Sequence, residues 1–177
     1  MFETIDYLKN GSERQQLAHK VILQLRIMHD LREYSPILCG TIPIGIDVDG
    51  SDLDIIVEVN DFVRFETLLK NLYGTQKNFK VSYFEVRNVP VITSNFLYKG
   101  FEVEIFGQSV PTNYQYAYLH MIIEQKLIET YPHIKKEVMT LKKLGVKTEP
   151  AFCKILGLDG DPYEELIKFG KERGFID

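Results

Sequence analysis

Asp52 and Asp54 stand two residues apart in the run Gly50-Ser51-Asp52-Leu53-Asp54-Ile55. On a strand, that spacing points both carboxylates to one face. Like charges on one face repel. They are tolerated where the strand end is solvated, or where a divalent cation sits between them. Hard oxygen ligands at this spacing suit Mg²⁺, which keeps several waters and completes its shell with substrate phosphates. Upstream lies Gly40-Thr41. A glycine lets the backbone approach a phosphate closely, and exposed N–H groups with the Thr41 hydroxyl can donate to its oxygens. Two-metal phosphoryl transfer asks for a third acid. Glu102 and Glu104 alternate with Phe101, Val103 and Ile105 and offer it from one strand face.

Several elements must position these groups. Leu17, Val21, Leu25, Met28 and Leu31 recur at helical spacing, which predicts a helix over 12–33 capped by Ser12. Pro36 starts the apolar run Ile37-Leu38-Cys39, a buried strand that ends at Gly40. Gly, Pro and Asp dominate residues 40–51, leaving room there for only a very short helix, which Gly40 and Thr41 would open. A strand over 52–59 follows, with Leu53, Ile55 and Val57 on the face opposite Asp52 and Asp54. Asn60 or Asp61 caps a helix of about three turns that ends near Gly74. Strands are expected over 79–87, 89–98 and 101–106, the last two joined by a tight Lys99-Gly100 turn. From Thr112 onward the pattern is helical, over roughly 112–130, 133–144, 148–157 and 162–173, with breaks near Pro132, Gly145, Pro150 and Gly160. The fold class is therefore α/β (α+β), a mixed sheet with flanking helices and a helical C-terminal part. We expect one unit, an α/β core over 1–110 with a helical extension over 111–177 packed on it, because no flexible linker marks the boundary.

An isolated Asp-x-Asp pair is most often a solvated strand end. Here Gly40-Thr41, a second glycine, Ser-Asp-x-Asp in a hydrophobic strand, and a third acid after a glycine turn occur in order. That layout resembles the nucleotidyltransferase superfamily signature, a Gly-Ser turn followed by Asp-x-Asp with a third carboxylate on a neighbouring strand. The resemblance implies that Gly40 and Thr41 hold a nucleotide's phosphates, with Ser51 also counted as nucleotide-binding. It implies that Asp52 and Asp54 hold Mg²⁺ or Mn²⁺, and that Glu104 is the third ligand and the base for an incoming hydroxyl. Thr41 stands for the common Ser and keeps its hydroxyl. Glu104 stands for the common Asp and lengthens the ligand arm. The chain is also similar, over most of its length, to a narrower group of small bacterial proteins that carry a domain of unknown function. The segments that carry this likeness are Gly40 to Asp47, Ser51 to Ile55, the helix with Gln115, His120 and Glu124, and Lys147 to Phe152 with Gly160 to Tyr163.

The resemblance implies nucleotidyl transfer from an NTP to an unknown small-molecule or protein acceptor. The alternative is an inactive nucleotide-binding or protein-interaction module with the same fold. Gln115 and His120 are candidates for contact with the nucleotide base or the acceptor. His120 and Glu124, four apart on a helix, read more plainly as a hydrogen-bonded pair that docks the helix on the sheet. Lys135, Lys136, Lys142 and Lys143 form a basic helical stripe, and most such stripes are solvated faces. Tyr114, Tyr116 and Tyr118 alternate and cannot share one helical face, so they read as core and rim. A calcium loop at Asp47, Asp49, Ser51 and Glu58 is rejected, because Asp52 occupies the position that needs glycine. Cys39 reads as a small core residue.

Composition narrows the partners. Of 177 residues 45% are apolar and 26% charged, which excludes a disordered chain. A net charge of -4 gives no general attraction to nucleic acid, and no base-recognition pattern stands out. Two cysteines without CxxC spacing fit a reducing compartment. No stretch is apolar for long enough to span a bilayer and no signal peptide is evident, so a cytoplasmic protein is expected. The helical tail could supply a homodimer face.

Overall fold

The computed structural model describes residues 2–177. Helix α1 (Glu13–Leu25) opens with a reciprocal capping box. The Ser12 hydroxyl accepts from the Gln15 N–H at 3.2 Å, and the Ser12 N–H donates to Gln15 Oε1 at 2.9 Å. The single helix expected over 12–33 is broken instead. Arg26 adopts a left-handed backbone with φ 59°, and a short helix α2 (Ile27–Asp30) and a 3-10 turn (Arg32–Tyr34) carry the chain round to the sheet. The break re-aims the apolar stripe. Val21, Leu25 and Leu31 are buried as expected, but Leu17 is 47% exposed, and Ala18 and Ile22 take the inner face of α1.

The sheet has five strands in the order β1-β2-β5-β4-β3: β1 (Ile37–Cys39), β2 (Leu53–Glu58), β3 (Lys77–Val86), β4 (Val89–Tyr98) and β5 (Phe101–Gln108). Strand β2 runs parallel to β5, and every other pairing is antiparallel. The parallel pair requires a crossover. Helix α3 (Phe62–Tyr73) supplies its first leg, capped by Asp61, whose carboxylate accepts from the Arg64 N–H at 3.0 Å. Between β4 and β5, Lys99 and Gly100 both take positive φ, as a tight hairpin turn requires.

Alternation along β2 divides the molecule. Leu53, Ile55 and Val57 pack with α1, α2 and α3 in one apolar core. Ile56 faces the other way, into a second core with Cys39, Ile44, Ile46 and the C-terminal helices α4 (Tyr116–Thr130), α5 (Pro132–Lys143), α6 (Thr148–Leu156) and α7 (Pro162–Glu172). Asp54 shares the Ile56 face, so its carboxylate lies on the side the C-terminal helices cover.

Candidate functional site

Register brings the carboxylates together. Asp54 pairs with Glu104 across the parallel β2–β5 ladder, Cys39 flanks Asp54 on β1, and Asn95 flanks Glu104 on β4. Partners in a ladder share a face, so one row crosses the sheet as Cys39, Asp54, Glu104, Asn95. The Asn95 amide donates to Glu104 Oε2 at 3.1 Å and holds the longer glutamate arm in place. Asp54 is held out of water, and that burial, reinforced by Glu104 and then Asp52, pushes its carboxyl up to about 7. Burial also raises Asp52, with Glu102 and Glu104 adding to the shift and Arg14 opposing it.

The loop 40–51 is shaped by α1. Gln15 Nε2 donates to the Ile42 carbonyl at 2.8 Å and the Pro43 carbonyl at 3.2 Å, and Arg14 Nη2 donates to the Ser51 carbonyl at 3.1 Å. Thr41 Oγ1 donates to Ser51 Oγ at 3.3 Å, and the Val48 N–H donates to the same oxygen at 2.9 Å. The expected short helix does not form. Residues 41–45 make a turn, closed where the Ile46 N–H donates to the Thr41 carbonyl at 3.1 Å, and Gly45 at φ 67° prevents its continuation. Gly40 is required at its position. Its φ is 81°, and a Cβ there would collide with the Asp54 carboxylate.

A cavity of about 650 Å³ opens between this face of the sheet and α4, α6 and α7. It gathers Gly40, Thr41, Asp54, Glu104, Gln115 and His120 from the sequence candidates. Asp52 and Ser51 do not line it: Asp52 precedes β2, and the Ser51 hydroxyl ties the loop. Asp52, Asp54 and Glu104 form an all-carboxylate donor set that fits a hard divalent cation. Among the described residues, however, no three His, Cys, Asp or Glu side chains converge closely enough to enclose an ion by themselves. Water and substrate oxygens would therefore have to complete the shell, as Mg²⁺ commonly requires.

The far wall holds the candidates Gln115 and His120 together with groups that the sequence assigned only plain structural roles. His120 and Glu124 are not the expected mutual pair. His120 Nε2 lies 2.8 Å from the Tyr163 carbonyl, and its Nδ1 lies 3.6 Å from Glu149 Oε1. Glu124 is 3% exposed and its Oε1 has no hydrogen-bond partner. The Gln115 amide donates to the carbonyls of Val57 and Val110, each at 2.9 Å, and its Oε1 is likewise buried without a partner. Arg87 reaches the cavity from the β3–β4 hairpin tip, where it and Asn88 hold φ of 51° and 61°. It pairs with Glu164 and lies 4.5 Å from the Tyr116 ring centre. Tyr116 and Tyr118 pack against the second core and Tyr114 is 65% exposed, the expected mix of core and rim. Lys142 departs from a solvated stripe: it is half-buried and faces Glu124, Asp47, Glu149 and Asp54. Spacing alone could not assign these roles, because each depends on how four helices meet.

Burial pushes the Glu124 carboxyl well above 4.5, with Glu149 reinforcing the shift and Lys142 opposing it. A carboxyl raised in the folded state contributes its full stability below the unfolded value and loses it as pH rises through the folded one. Glu124→Gln is therefore expected to flatten the fall in stability as pH rises from near 4.5 into the alkaline range. Urea unfolding at both ends of that range measures it, and an unchanged slope would mean that Glu124 is not the group responsible.

The fold has counterparts among solved structures. The polymerase core of TRAMP, an RNA surveillance complex, superposes with a TM-score of 0.55 at 14% identity, over 92% of this chain and 50% of that one. The GLD-2/RNP-8 complex gives 0.54 at 14% identity, over 84% and 60%. A variant of the Cid1 poly(U) polymerase bound to MgATP gives 0.53 at 16% identity, over 74% and 42%. The chain thus spans less than two thirds of each of these chains, and at such identities the likeness is one of fold: a nucleotidyltransferase-like mixed sheet with flanking helices. No curated protein matches the chain in sequence. Among the described residues no helix is long and apolar enough to cross a membrane. The family model for a domain of unknown function, DUF4269, matches residues 20–169, and the chain belongs to that family.

Proposed function

We propose that this protein is a metal-dependent nucleotidyltransferase that moves a nucleotidyl group from an NTP to a hydroxyl of a small-molecule or protein acceptor. The observation that carries the reading is the direct pairing of Asp54 with Glu104 in the lining of a cavity that also includes Gly40 and Thr41. Asp52, Asp54 and Glu104 would hold Mg²⁺ or Mn²⁺. Bound there, the metal would lower the pKa of the acceptor hydroxyl and neutralise charge on the departing pyrophosphate.

Gly40 and Thr41 offer the phosphates backbone approach and a hydroxyl, and Ser51 keeps the loop that presents them closed. The acceptor oxygen forms a bond to the α-phosphorus as the bond from that phosphorus to the pyrophosphate oxygen breaks. The hydroxyl proton passes to Glu104, which Asn95 holds in place. Gln115 and His120 line the same cavity and would face the base or the acceptor. The core over 1–110 and the extension over 111–177 act here as one unit, since the cavity needs both.

A thermal-shift panel of the four NTPs, with and without Mg²⁺, tests the reading. A ligand at a hundredfold excess over its Kd contributes about 2.7 kcal/mol, which for a chain of this size raises Tm by about 5–11 °C. A metal-dependent shift with pyrophosphate release on adding an acceptor is the expected result. Metal-dependent binding without release, across a broad acceptor screen, would leave a nucleotide-sensing module. No shift with any NTP would sink both readings.

A further inference from the structure

The wall of the cavity opposite the sheet contains buried hydrogen-bond acceptors that no donor of the chain reaches. Glu124 Oε1 and Gln115 Oε1 are both buried and unpartnered. Glu124 and Gln115 are 3% and 2% exposed, and both line the cavity. A buried acceptor without a donor destabilises the fold, so two in one wall call for a partner. His120 adds a third. Its Nε2 faces a carbonyl, which can only accept, so Nε2 carries the proton. In a neutral ring Nδ1 is then an acceptor too, and it faces Glu149 Oε1 across 3.6 Å, beyond hydrogen-bond length. Two acceptors facing one another leave a place for an N–H group brought by a ligand.

The local carboxyls answer to a cation: burial raises Glu124, and a positive charge brought beside it favours the ionised form. Glu124 and Glu149 line this part of the cavity together. Arg87 is already paired with Glu164, and Lys142, which feels the charges of Glu124, Asp47, Glu149 and Asp54, does not line the cavity. Lys147, just before α6, lines the cavity as well, but it is exposed and stands against four lining carboxyls, Asp54, Glu104, Glu124 and Glu149. An excess of carboxylate over free cation, combined with missing donors, selects a positively charged, donor-rich ligand. A nucleobase would bring donors but no charge. The aromatic rings present do not form a slot for one, because Tyr116 and Tyr163 meet His120 at 82° and 50° and Arg87 lies over Tyr116.

We propose that this wall is the acceptor subsite and that it takes a small molecule bearing a primary ammonium group. Glu124 and Glu149 receive the ammonium, and Gln115 Oε1 accepts from a neighbouring hydroxyl or amine. The role as acceptor rests on the nucleotidyl-transfer reading; the amine selectivity does not.

Amide NMR titration of the whole chain separates the two. The probes are glucosamine and ethanolamine, with N-acetylglucosamine and ethylene glycol as uncharged counterparts and adenosine as a base probe. The amines are expected to shift the amides of Gln115, Glu124 and Glu149, and the uncharged partners are not. Glu124→Gln should weaken amine binding by about tenfold or more while MgATP binding stays. Glu149→Gln, at a partly exposed position, gives the same readout if the first variant folds poorly. Asp54→Asn should lose MgATP and keep the amine. Equal response to amines and neutral counterparts, or no response in the wild type, overturns the proposal. So does adenosine shifting this wall while amines do not. Amine binding without NTP binding would uphold the subsite and remove its assignment as acceptor.

Discussion

Asp54→Asn is expected to lower nucleotidyl transfer by at least about 10³-fold while leaving the metal-free protein as stable as the wild type or more so. Both halves follow from one arrangement. Asp54 belongs to a cluster of carboxyls, opposite Glu104 and beside Asp52, and burial pushes its carboxyl up to about 7. A raised carboxyl means that ionisation opposes folding, so stability is lost as pH rises through that value. Asparagine keeps the shape and removes the charge. With a cation and triphosphate bound the balance reverses, because that charge is then the ligand. Pyrophosphate release with the NTP identified by the binding panel measures the first half, and melting in chelator above about pH 8 the second. Turnover close to wild type would sink the catalytic assignment. A large loss of stability in chelator would instead mean that the carboxylate has a structural partner. Asp52→Asn should act in the same direction on turnover, but its side chain stands off the cavity.

Local patterns made much of this site legible. Alternation of apolar residues assigned strand faces along β2 and β5, and the faces put Asp54 and Glu104 on one side. Strand β4 and helices α5, α6 and α7 begin and end within a residue of their expected limits, because Pro132, Gly145 and Gly160 are strong local punctuation, whereas Pro150 marks no break and sits in the first turn of α6. Where tertiary contacts outweigh propensity, the reading failed. No residue type forbids a helix through Arg26, yet the chain turns there so that Ile27 and Leu31 reach the sheet-side core. The loop after Gly40 is held by Gln15 and Arg14 from a distant helix, so its own composition could not define its shape. Glu149 drew no notice, because a carboxylate in the first turn of a helix is ordinary. Only the packing of α6 against α5 and α7, which themselves pack on α4, turns it toward His120.

The two apolar cores make a prediction about cooperativity. Phe65 on α3 is fully buried in the core on one face of the sheet, and Phe152 on α6 is fully buried in the core on the other. Each truncation to alanine should cost roughly 3–5 kcal/mol, the transfer loss plus the cavity left behind. The strands lie between the cores, and alternating side chains of β2 serve both: Ile55 one, Ile56 the other. Neither core can dissolve without stripping one face of the same strand. If 1–110 and 111–177 form one folding unit, Phe65→Ala and Phe152→Ala must lower the same single transition by similar amounts, whether followed by near-ultraviolet or far-ultraviolet dichroism. A Phe152→Ala protein that lost only its helical signal in an early step, leaving the sheet to melt at the wild-type midpoint, would make the extension a separate unit. It would also remove the roof of the cavity while its floor persisted, so nucleotide binding across that early step would show how far the phosphate end depends on the acceptor wall.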